Sequence, residues 1–230
     1  MDTNSMYDTL LGLPLFRGVS RDRISQVVGM TKFHFLKYLE GGEFIREREQ
    51  CTLLTFILSG AARVTVANDD RRFSVSQTLT APNVLAPDCL FGLETYYPCS
   101  AVALEPTSIL KIDKSDWLKI LNSDEIFMLN YLNYLSMNAQ KAVHGVLALT
   151  SGNLEERIAF WIIALTQPTA TDIELQCRQR DLCSVFGVQR STFTSTLESM
   201  KSRGLIDFGP ASIKINDRRA LLDLLVRSSE

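Results

Sequence analysis

A chain of 230 residues with 46% hydrophobic content can bury a full core and has room for one large domain or two modest ones. Its formal net charge of -2 excludes indiscriminate coating of nucleic acid or membrane, which needs a broad basic surface, so any nucleic-acid contact must be local. Five cysteines, Cys51, Cys89, Cys99, Cys177 and Cys183, make no CxxC pair, which argues against a zinc finger or disulfide framework and leaves reduced, mostly buried thiols.

The opening MDTNSMYDTLLGLPLF begins with an acid and has neither the basic region nor the cleavage site of a secretory signal. No stretch reaches the roughly 18 uninterrupted apolar residues of a membrane span, so a soluble cytoplasmic protein without membrane contact is expected. Residues 6 to 30 suggest one or two short helices. From about Gly41 to Lys114 come short apolar or alternating runs, LLTFILSG, ARVTVA, RFSVSQTL and TSILKI, separated by Gly, Pro, Asn and Asp. Period-two runs punctuated by turns such as Asn68-Asp69-Asp70 predict antiparallel strands in a barrel or double-sheet roll.

From Ser123 to about Leu149 the chain has few breakers. Met128, Leu132, Leu135, Ala139, Ala142, Val146 and Leu149 recur there at alternating steps of four and three, the seam spacing of a coiled coil. Such stripes more often pack on their own domain. The helix nevertheless approaches about 40 Å in length, and small residues late in the seam would let two backbones approach closely, so a homodimer is expected.

Thr150-Ser151-Gly152-Asn153 ends that helix and starts another, LEERIAFWIIALTQ, which Pro168 stops. A polar linker, PTATD, leads to QRDLCSVFGVQRSTFTSTLESMKSRGL. Here Leu182, Val185 and Phe186 share one helical face, Gly187 breaks the helix, and a second helix runs from about Arg190 to Arg203 with Phe193, Leu197 and Met200 inward. A helix, a tight Gly-bearing turn and a second helix form a helix-turn-helix, whose second helix can enter a major groove. Between Arg178 and Ile206 five basic residues face two acidic ones, a local excess in a net-negative chain. A hairpin around Phe208-Gly209-Pro210-Ala211 supplies a wing, and a last helix starts near Asp217.

These residues resemble the Crp/Fnr family of bacterial transcription regulators over nearly the whole chain. DLCSVFGVQRSTFTSTLESMKSRGLI is similar to that family's helix-turn-helix, with Gly187 in the turn, Arg190 opening the recognition helix and Gly204-Leu205-Ile206 entering the wing. FILSGAARV and APDCLFG resemble strand and turn signatures of its cyclic-nucleotide-binding-like roll. The resemblance implies an α+β architecture: a sensor domain over 1–121 built as an antiparallel β-roll (a jelly roll, or double-stranded β-helix), a dimerisation helix over 122–150, and a winged helix-turn-helix over 151–230. It also implies a homodimer on a two-fold-related site in double-stranded DNA, RNA polymerase as a further partner, and an unknown small-molecule effector. Gln189, Arg190, Ser191, Thr194 and Ser195 would face the groove, while Arg180, Thr192, Lys201 and Lys214 would favour phosphates. Phe91, Gly92, Leu93, Glu94, Cys99 and Ser100 would line the effector pocket.

Departures from the family pattern bear on the effector. Cyclic-nucleotide sensors of the family follow Phe-Gly with Glu and later place an Arg before small residues. Here Phe91-Gly92 is followed by Leu93-Glu94, and no Arg lies between Arg72 and Arg157. A buried cyclic phosphate needs a cation or convergent N–H donors, so cyclic AMP is not expected. The first cysteine is Cys51, which argues against an N-terminal iron–sulfur cluster. Haem through His34 or His144 is disfavoured because a lone His is usually structural, and Cys99 would sense redox state only with a stabilised, exposed thiolate. Gln189 in place of Ser leaves the recognition helix poorly capped.

Two other functions compete. A metal-dependent cupin-like enzyme would gather several His and carboxylate ligands from neighbouring strands; the two histidines, expected outside the strand region, do not provide them, and no metal site or catalytic residue is expected. A helix-turn-helix that docks a protein would suit the ten basic and ten acidic residues of 151–230.

Overall fold

The computed structural model describes residues 3–150 and 152–227. Of the predicted Thr150–Asn153 break, Ser151 lies outside the described residues. The chain forms two compact units: residues up to Arg63 with Leu79–Asn138, and Val64–Thr78 with residues from Ala139 onward.

The first unit opens with α1 (Thr3–Leu11) and α2 (Arg21–Met30), the latter capped by Ser20, whose hydroxyl accepts from the Arg23 amide. Strands β1 (Phe33–Tyr38), β2 (Glu43–Ile45), β3 (Leu53–Ser59) and β4 (Ala61–Ala67) follow, then β5 (Phe73–Thr80), β6 (Asn83–Leu85), β7 (Cys99–Ala103) and β8 (Thr107–Asp113). One antiparallel sheet has the order β1-β8-β3-β6, and β2 pairs with β7. The four predicted runs become β3, β4, β5 and β8. β1 was not among them: it is an edge strand whose residues are exposed or half-exposed, so period-two burial never marked it. His34 therefore lies on a strand, contrary to expectation, and its Nε2 sits 2.9 Å from Asp113 Oδ2.

Between β3 and β4, Gly60 adopts φ +85°, and a Cβ there would fall 2.6 Å from Thr107 Oγ1, so the turn of FILSGAARV admits only glycine. Helix α3 (Lys114–Ser123) seats Trp117 in the core, where Phe16, Phe56 and Phe127 pack around it; Phe16 meets Phe56 and Phe127 edge-on at 5.7 and 5.2 Å. Helix α4 spans Glu125–Leu147, about 35 Å at 1.5 Å per residue. In its first half Phe127 and Tyr131 face inward, Asn130 donates to the carbonyls of Leu15 and Arg17, and Tyr131 Oη donates to Pro87 O at 2.7 Å.

The second unit holds the Val64–Thr78 part of β4 and β5, the rest of α4, then α5 (Leu154–Leu165), β9 (Thr171–Cys177), α6 (Gln179–Phe186), α7 (Arg190–Ser202), β10 (Ile206–Phe208), β11 (Ser212–Ile215) and α8 (Arg218–Arg227). A reciprocal capping box between Asn153 and Glu156 starts α5. Strand β9 falls where sequence reading placed a linker running straight into the helix-turn-helix. Its period-two alternation, with Ile173, Leu175 and Cys177 buried and Glu174 and Gln176 between them, spans only five residues. β9 lies between β11 and β5, so the 64–78 hairpin, expected within the N-terminal domain, packs with the C-terminal residues. No described helix is long and apolar enough to cross a membrane.

Candidate nucleic-acid interface

Helix α6 ends because Gly187 turns left-handed (φ +63°), its N–H meeting the carbonyls of Cys183 and Ser184, while the Val188 amide also reaches Cys183 O. The turn brings α7 off at Arg190. Phe193, Leu197 and Met200 are wholly buried and set the rotation of α7, so Arg190, Ser191, Thr192 and Ser195 face solvent and Thr194 is half-buried. The interior calls for these three positions and leaves the others to polar residues, which accounts for a face filled with Arg, Ser and Thr.

Gln189 holds the N-cap position in extended backbone and gives no side-chain cap. Ser195 Oγ and Thr196 Oγ1 both donate to Thr192 O, at 3.0 and 2.9 Å. With its proton committed to its own helix, the Ser195 hydroxyl turns lone pairs outward and is suited to accept from a base amino group.

The cations divide into two groups. Arg178, Arg180 and Arg190 are exposed and make no ion pair among the described residues. Lys201 and Lys214, by contrast, meet Asp207 at 3.0 Å and Asp172 at 3.7 Å, and Arg203 pairs with Glu155. The Asp207 carboxyl, hydrogen-bonded by Lys201, is held below the usual carboxylate range. Unpaired charge thus concentrates at the start of α6 and α7, whereas the two lysines already have a carboxylate beside them. Arg178 entered the local charge count but not the assigned contacts; its position just before α6 was the signal available.

The wing is fixed by Gln179, whose amide donates to Gly209 O at 3.0 Å, and by Asn216, which donates to Gly204 O. Arg157 donates to Phe186 O and lies over that ring.

A family model for the Crp-like helix-turn-helix domain matches residues 156–224, and one for the cyclic nucleotide-binding domain matches residues 35–124. The chain belongs to the Crp/Fnr family. Among relatives of this Crp/Fnr regulator, the cyclic AMP receptor protein of Thermus thermophilus is 22% identical over 218 residues, covering 93% of this chain and 97% of that protein. The sensor domain of the transcriptional regulator DNR from Pseudomonas aeruginosa shares the fold with a TM-score of 0.51 at 14% identity, over 61% of this chain and 92% of that one. The Thermus thermophilus catabolite activator protein aligns over 93% of this chain and 99% of its own, at 19% identity and a TM-score of 0.49.

In the Crp/Fnr roll, the residues implied for an effector pocket differ in exposure. Phe91 packs on Tyr131 at 5.9 Å with Lys114 Nζ 4.8 Å above its ring, whereas Gly92, Leu93 and Glu94 face solvent. Ser100 is half-buried in β7. Cys99 is buried, and desolvation, then Asp88 and Cys51, push its thiol up to about 12. Cys89 is raised to about 12 by the same leading cause. Such thiols carry no stabilised thiolate. Among the described residues no cluster of three His, Cys, Asp or Glu could hold a metal ion. His144 is exposed on α4.

Proposed function

We propose that this chain is a homodimeric transcription regulator that reads a two-fold-related operator with α7 and responds through its roll to a small molecule other than cyclic AMP. The carrying observation is Arg190: it opens α7, is exposed, and its guanidinium makes no ion pair among the described residues. A bidentate guanidinium at the leading end of a groove-entering helix suits guanine O6 and N7. Gln189, Ser191, Thr194 and Ser195 share that edge, while Arg180, Thr192, Lys201 and Lys214 take phosphates.

The dimer is supported by α4. Met128, Leu135 and Leu149 are half-buried, and Leu132, Ala139, Ala142 and Val146 are exposed; Leu129, Met137, Val143 and Leu147 beside them are exposed too, so α4 carries more apolar surface than its own fold covers. Inward positions are taken by Phe127, Tyr131, Gly145 and Ala148 instead. Two such helices along one seam hold paired recognition helices for half-sites about one duplex turn apart.

The Thermus thermophilus relative is named for cyclic AMP. In this chain Glu94 faces solvent, and no arginine between Arg72 and Arg157 is available to meet a cyclic phosphate. Haem and an iron–sulfur cluster have no part in this reading, since His34 is engaged with Asp113 and the cysteines do not gather at the N-terminus. The regulator works in the cytoplasm, with RNA polymerase as protein partner and without enzymatic activity.

Selection from a random duplex library tests this. An inverted repeat should be enriched, with binding that falls steeply between 50 and about 200 mM salt. Enrichment of no sequence would leave the alternative in which the helix-turn-helix docks a protein.

A further inference from the structure

A chain of aromatic rings runs from the 64–78 hairpin to α7. Phe73, the first residue of β5, packs on Trp161 of α5 with ring centroids 5.3 Å apart. Trp161 meets Phe186 of α6 edge-on at 5.6 Å, and Phe186 stacks on Phe193 of α7 at 6.0 Å. Phe186 and Phe193 are buried, Phe193 completely.

Strand pairing fixes the first ring in place. β5 runs antiparallel to β9, with Phe73 opposite Cys177, Val75 opposite Leu175 and Ser76 opposite Glu174. Val75 is buried, and the buried Gln77 accepts from the Gln167 amide through Oε1 at 2.8 Å. The hairpin is stiffened internally by a hydroxyl–hydroxyl bond between Thr65 and Ser76 at 3.0 Å and by the Asn68 side chain, which accepts from the Phe73 amide.

A winged helix-turn-helix could close this edge of its sheet with its own residues. Here a segment distant in sequence does so, and β5 continues without a break into Leu79 and Thr80, which belong to the first unit. Packed aromatic side chains transmit displacement because interiors are close-packed and have no slack to absorb it.

We propose that Phe73 is a positioning residue for the DNA-reading helix: acting through Trp161 and Phe186, it sets the seat of Phe193 and hence how α7 presents Arg190. The proposal rests on reading α7 as the DNA-contacting element, and it gives the hairpin a part in regulating that element.

Hydrogen exchange on the full-length protein without DNA tests the packing claim. In Phe73→Ala, amides of α6 and of Phe193 to Leu197 should exchange roughly tenfold faster, with α8 and the β3·β8 ladder unchanged. Phe73→Tyr, which keeps the ring, should restore wild-type rates. Unchanged exchange in α7, or an equal acceleration across α7, α8 and β3, would overturn the proposal. On selected duplex, Phe73→Ala should lose about tenfold in affinity and Phe73→Tyr should not; equal affinity of Phe73→Ala and wild type would also overturn it. A wild type that binds no duplex would remove the functional reading instead, a failure that the DNA-free arm keeps separate.

Discussion

A Cβ built on Gly145 would fall 2.4 Å from the Cβ of Ala164, so α4 and α5 touch where only glycine fits. Cβ atoms do not approach so closely, and neither partner is the flexible end of a long side chain. Gly145→Ala should therefore destabilise the second unit by about 1–3 kcal/mol, and Ala164→Gly in the same chain should recover most of the loss. Denaturant unfolding followed through Trp161 measures both; equal stability of Gly145→Ala and wild type would contradict the contact.

Asp116 gives the first unit an acid-sensitive tie. Lys119 Nζ bonds its carboxylate at 2.6 Å and the Lys32 amide at 2.9 Å, and these contacts hold the carboxyl below the usual range. A carboxyl depressed in the folded state contributes stability above its ordinary pKa of about 3.9. That contribution is lost as pH falls through the folded value. Asp116→Asn should cost about 1–2 kcal/mol near pH 7 and flatten the acid limb of the stability curve. Urea unfolding at a series of pH values checks it, and parallel curves would contradict it.

The thiols of the roll should be unreactive. With Cys89 and Cys99 each raised to about 12 and Cys51 raised by burial, thiolate is scarce at neutral pH. Iodoacetamide at pH 7.5 should modify these residues at least roughly tenfold more slowly in native protein than in urea, as peptide mass spectrometry would record. Rapid native labelling of Cys99 would reopen a redox role.

Val146 tests the seam. It is 68% exposed on α4, and Leu132 is 49% exposed on the same stripe. Val146→Asp should turn a dimer into a monomer by sedimentation velocity, because a charge buried in an apolar seam is costly. A variant that sediments like the wild type would place the dimer contact elsewhere.

The helices of the second unit were legible because each carries local marks: a capping box at Asn153, a breaker at Gly187, and the 3.6-residue repeat of Phe193, Leu197 and Met200. β3, β4, β5 and β8 were legible from alternation. β1 was not, since an exposed edge strand alternates poorly, and neither was β9, whose partner β5 lies far away in sequence. Pairing of that kind leaves no periodic trace. The site behaved similarly. Arg190 could be placed from spacing alone, but the carboxylates beside Lys201 and Lys214 come from β10 and from Asp172, brought in by the tertiary fold.

The most direct measurement compares Arg190→Ala with wild type on selected operator and on random duplex, by fluorescence anisotropy at fixed salt. A base-reading arginine predicts that preference for operator falls by about 1–3 kcal/mol while random-duplex binding changes little. Equal loss on both duplexes, or no loss on either, would contradict sequence reading by Arg190.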